Sequence, residues 1–101
     1  ALEHQRRGAD IAKFVTYSGS EAELDANFQT IRALKRELKI PFLFLPNGPY
    51  CKKHRMLGPW FGVCMWLCTD TYAGQAFPDQ PLLRSMAEVV RNCDLTPNVR
   101  I

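Results

Sequence analysis

Gly58-Pro59-Trp60-Phe61-Gly62-Val63-Cys64-Met65-Trp66-Leu67-Cys68-Thr69-Asp70-Thr71-Tyr72-Ala73-Gly74 is the stretch on which the fold turns. Gly58 stands at a cap position and Pro59 at a first helical position, where its missing N–H costs nothing. Gly74 stands where helices often stop in a left-handed turn. Between Trp60 and Cys68 only Gly62 lacks an apolar side chain. The pattern predicts a helix over 59–73, apolar on most sides. A helix apolar all round has to be covered all round. The other segments are therefore expected to pack around this one.

Downstream, residues 75–78 read as a loop. Asp79 is placed to cap a last helix with Pro81 in its first turn. Leu82, Leu83, Met86, Val89, Val90 and Cys93 form its apolar face, and Asp94 and Pro97 end it. Upstream, Cys51 to Leu57 reads as a basic connector. Before it, three prolines fall between Ile40 and Tyr50 and exclude a helix. Phe42-Leu43-Phe44-Leu45 is then extended and apolar on both faces. Pro46-Asn47-Gly48-Pro49 is a tight turn. This extended piece either crosses the central helix as a link or pairs with another chain.

The clearest helix lies further upstream. Ser20-Glu21-Ala22-Glu23 is a capping box. Leu24, Phe28, Ile31, Leu34 and Leu38 recur at helical spacing. Acids lead (Glu21, Glu23, Asp25) and bases follow (Arg32, Lys35, Arg36, Lys39), which complements the helix dipole. Pro41 ends the helix near Lys39. Leu2 to Tyr17 reads as a first helix through Leu2, Ala9, Ala12, Phe14 and Val15, broken by Ser18-Gly19. The expected fold is mainly all-α. It has about four helices packed round a central apolar helix (59–73), with a Pro-bounded extended link at 40–50, in a single domain spanning 1–101. The absence of an initiator Met and the apolar Ile101 suggest a fragment of a longer protein.

An apolar content of 47% with 23% charged residues is that of a folded globular chain, so extensive disorder is excluded. No apolar run approaches the roughly 20 residues that span a bilayer. The start, Ala1-Leu2-Glu3-His4-Gln5-Arg6-Arg7, has no signal-peptide pattern. Three of the four cysteines flank or lie in apolar helical patterns, as reduced thiols do, which points to an intracellular location, cytoplasm or nucleus. The net charge of +3 is uneven, because Arg32, Lys35, Arg36, Lys39, Lys52, Lys53 and Arg55 crowd the middle third against Glu37 alone.

Four groups invite chemistry. Cys51, His54, Cys64 and Cys68 could supply four zinc ligands, with the last two one helical turn apart. Their spacing fits no common finger, and thiolates in so apolar a stretch are costly without metal. The simpler reading is two core cysteines and a solvated loop histidine, so no metal ligand and no cofactor is assigned. Cys51 with His54 suggests a nucleophile and base, yet nothing nearby orients the ring or forms an oxyanion site. With no Gly-x-Ser-x-Gly and no phosphate-cradling loop, the chain reads as a non-enzyme. The basic cluster suits an acidic partner or nucleic acid. Finally, Phe42, Phe44, Met56, Trp60, Phe61 and Trp66 offer more apolar surface than so small a core can hide. The expected function is a protein-interaction or oligomerisation domain, a homodimer, using that aromatic face beside the basic patch. The rivals are a nucleic-acid-binding domain built on the Arg32–Arg55 cluster and a zinc-stapled domain.

Overall fold

The computed structural model describes residues 1–74 and 78–97. Six elements follow in order: α1 (Leu2–Arg6), β1 (Ala12–Tyr17), α2 (Glu21–Glu37), β2 (Phe42–Asn47), α3 (Cys51–Phe61) and α4 (Leu83–Arg91). β1 and β2 lie side by side as a two-stranded parallel sheet, Ala12 opposite Phe42 and Tyr17 opposite Asn47. The fold is therefore α/β, not mainly all-α. Its centre is a β–α–β unit, and the extended link is one of its strands.

The first correction concerns residues 2–17. The helix ends at Arg6 and the chain turns through Gly8 at φ +89°. From Ala12 to Tyr17 the side chains alternate between covered and uncovered, and four of the six are β-branched or aromatic. That is strand chemistry. The second correction concerns the supposed central helix. α3 begins eight residues before Pro59 and stops at Gly62, whose φ of +134° lies outside what other residues accept. The amides of Gly62 and Val63 both bond the Gly58 carbonyl, so Gly58 marks the end of a helix rather than its start. Residues 63–74 form no helix; Gly74 has its positive φ, +65°, without a helix before it. Asp79 caps nothing, since α4 starts after Leu82.

Helix α2 matches its sequence pattern. Ser20 Oγ accepts from the Glu23 amide at 3.2 Å. Glu23 reaches back to the Gly19 amide at 3.5 Å. β2 tolerates Pro46 because parity in a parallel ladder turns that residue's backbone away from β1. Its carbonyl accepts instead from Arg55 Nε at 2.8 Å.

The register places Ala12, Phe14 and Thr16 on the same sheet face as Phe42, Phe44 and Pro46. That face carries the core: Ala12, Ile31, Phe42, Phe44 and Val63 are buried together, with Phe14, Phe28 and Leu34 packed against them. α2 and α3 therefore both lie on this face. Both helices follow a strand, so both start at the carboxyl end of the sheet and run back toward its amino end.

Candidate functional site

The structure divides the six aromatic and Met candidates. Phe42 and Phe44 are core residues and present nothing to a partner. Trp60 and Trp66 meet edge to face at 5.2 Å. Each is half-buried, and each indole N–H donates to a carbonyl, Trp60 to Leu95 at 3.0 Å and Trp66 to Met56 at 2.9 Å. These contacts tie the irregular 63–74 segment and the end of α4 to α3. Met56 and Phe61 do remain exposed.

Phe61 belongs to a groove of about 360 Å³ between α2 and α3, lined by Phe28, Gln29, Arg32, Leu57 and Phe61. Leu57 is 45% exposed and Phe61 39% exposed, one helical turn apart on α3. Phe28 meets the Phe61 ring edge-on at 5.6 Å and is thereby tilted into the wall. Arg32 closes the rim, its Nη1 donating to the Phe61 carbonyl at 3.4 Å. Leu57 and Phe28 are absent from the aromatic face expected from sequence, where Phe28 stands only in the apolar stripe of α2. Their signal was the i, i+4 spacing of Leu57 and Phe61, hidden by reading 51–57 as a connector.

The seven basic residues do not form one patch. Arg32, Lys35 and Arg36 sit on the second half of α2 and Lys39 just past its end, toward the amino end of the sheet. Lys52, Lys53 and Arg55 start α3 at the other end. The 11 residues of α3 rise about 16 Å between Lys52 and the turn where Gly62 meets the Lys35 stem. Arg55 is further occupied by Pro46 and by Asn47 Oδ1 at 2.9 Å. Lys52 lies over the Tyr72 ring at 4.6 Å. On the amino-end side, α1 joins the α2 group, because Gln5 Oε1 accepts from the Lys39 amide.

The chain's likeness to known proteins adds nothing to this geometry. No family model, curated protein or solved structure matches it.

Cys51 and His54 are both buried on the inner side of α3. The His54 ring lies 4.5 Å from that of Phe28 and 5.2 Å from that of Phe44. Neither ring nitrogen has a hydrogen-bond partner, so Cys51 does not pair with it. Burial holds the His54 pKa below its usual value, against the opposing pull of the Asn27 backbone. Burial likewise pushes the Cys51 thiol up, and the Asp79 carboxylate pushes it further. Burial thus favours the protonated thiol at Cys51, and no hydrogen bond joins it to His54. Cys64 and Cys68 are half-buried, and burial pushes both thiols up as well. Among the described residues no three His, Cys, Asp or Glu side chains converge as metal ligands, and all four cysteines are unpaired.

Proposed function

We propose that this chain is a non-enzymatic protein-interaction domain that pairs with a second copy of itself through the α2–α3 face. The observation that carries this reading is the open groove of Phe28, Leu57 and Phe61, apolar apart from its Arg32 and Gln29 rim. Two large apolar side chains left in water on adjacent turns, with a guanidinium beside them, have the make-up of an interface centre, where aromatic residues and Arg are favoured. A two-fold contact needs one self-complementary patch, and Phe61 of each copy fits the cleft beside Leu57 of the other. The unpaired thiols support a reducing, intracellular setting. Among the described residues no helix is long and apolar enough to cross a membrane.

Sedimentation velocity over a micromolar concentration series tests the reading. A dimer is expected, and Phe61→Glu is expected to weaken it by about 2 kcal/mol, roughly thirtyfold in the dissociation constant. A circular dichroism spectrum of the variant matching that of the wild type would show that association, and not the fold, is what it loses. A wild-type monomer throughout the series would overturn self-association.

A further inference from the structure

A second surface lies along β1. The amides of Ala12 and Ser18 bond the carbonyls of Pro41 and Asn47 across the sheet. Backbone parity then turns the N–H and C=O groups of Lys13 and Val15 and the N–H of Tyr17 away from β2, while the Tyr17 carbonyl accepts from Asn27 Nδ2 at 3.2 Å. Among the described residues no third strand pairs with that edge. Val15 is 61% exposed and Tyr17 59% exposed, on the sheet face that α2 does not cover. On the covered face, an open groove of about 500 Å³ runs beside the strand, floored by Phe14, on whose ring His4 stacks at 5.9 Å, with the buried Phe44 beneath, and walled by Asn27, Thr30 and Leu34 of α2. The edge thus offers backbone hydrogen bonds, an apolar trough on one side and apolar side chains on the other. These are the requirements for adding a strand.

Charge selects the occupant. Lys13 is the only charged residue in β1, and the α2 wall of the groove carries none. Beyond Lys13, the neighbouring cleft at the amino end of the strand is lined by His4 and by Arg7, which is paired with Glu3 at 2.9 Å, so Lys13 carries the selection. We infer that the outer edge of β1 binds an extended, mainly apolar peptide segment of a partner protein carrying one acidic residue beside Lys13. Its inward side chains fill the trough over Phe14, and its outward ones cover Val15 and Tyr17. A second copy of this chain fits less well, since pairing β1 with β1 about Val15 sets Lys13 against Tyr17 and supplies no carboxylate. The surface excludes Leu57 and Phe61, so it stands apart from the self-association face.

The probe is a blocked hexapeptide, Glu-Val-Thr-Val-Thr-Val, with a Lys-for-Glu counterpart and a version N-methylated on alternate amides. Each is titrated to millimolar concentration into the full chain labelled with nitrogen-15. The expected result is amide shifts at Lys13, Val15, Tyr17, Thr30 and Leu34, with tighter binding of the Glu peptide. Lys13→Glu should reverse the preference between the two peptides, each affinity changing about fivefold. N-methylation should abolish binding. Three outcomes would overturn the proposal: no shifts at these positions, equal affinity for the Glu and Lys peptides, or concentration-dependent broadening of the β1 amides without peptide, which would give the edge to a second copy.

Discussion

At position 54 a histidine is held where only its neutral form is at ease. It is 1% exposed, and neither nitrogen finds a partner. Phe28 and Asn27 face it from α2, Phe44 from β2, and Cys51 and Arg55 lie on its own helix. No carboxylate among them could hold a proton on the ring, and Arg55 opposes one. In the unfolded chain the imidazole titrates near about 6.5. The folded pKa lies lower, so below that value the unfolded chain binds more protons than the folded one. Stability is therefore full above about pH 6.5 and falls as pH drops toward and through the folded pKa. Melting followed by circular dichroism from about pH 7.5 to 5 should show a decreasing midpoint, and His54→Phe should flatten that slope. An equal slope in both proteins would assign the pH dependence to groups other than His54. Sequence placed His54 in a solvated connector. The legible sign was a stripe, since Cys51, His54 and Gly58 fall at i, i+3 and i+7, and all three are buried.

Among the elements, α2 was readable in full because its cap, its dipole and its apolar stripe agree. Phe42–Leu45 was recognised as extended, but its partner was not. Ala9, Ala12, Phe14 and Val15 imitate one side of a helix, and the alternation of 12–17 is only six residues long. The run 60–68 misled for another reason: a stretch apolar at nearly every position has no period, and hydrophobicity alone cannot assign it. Two substitutions separate what a cap contributes from what a turn requires. Ser20→Ala removes the acceptor for the Glu23 amide and should cost about 1 kcal/mol in urea unfolding. Gly48→Ala should cost more, about 2 kcal/mol. Gly48 has φ +101°, and a Cβ there would stand 2.8 Å from the Ser18 carbonyl oxygen and 2.7 Å from the Tyr17 ring. A Gly48→Ala variant as stable as the wild type would mean that the β1 and β2 loops do not press together as described.

Across the whole molecule the elements are not equally bound. The buried cluster draws on β1, α2, β2 and Val63, just beyond α3, and contains nothing from α4. α4 buries Met86, but apart from that cluster. Its ties to the rest run through the bridge of Thr69 with Leu82, where Thr69 N donates to the Pro81 carbonyl at 2.9 Å and Leu83 N to the Thr69 carbonyl at 3.0 Å. The Trp60 indole adds its bond to the Leu95 carbonyl just past the helix. Segments with few shared apolar contacts open at lower free energy than the core does. Native-state hydrogen exchange should therefore find the ladder amides of β1 and β2 opening only with global unfolding, and those of α4 opening earlier. Ile31→Ala removes a fully buried side chain from the centre of the cluster and should cost about 2–5 kcal/mol in global stability, lowering protection everywhere. Met86→Ala should lower protection in α4 alone and leave the ladder amides at their wild-type values. If it lowers both equally, α4 belongs to the same cooperative unit, and the described elements unfold as one body rather than from α4 inward.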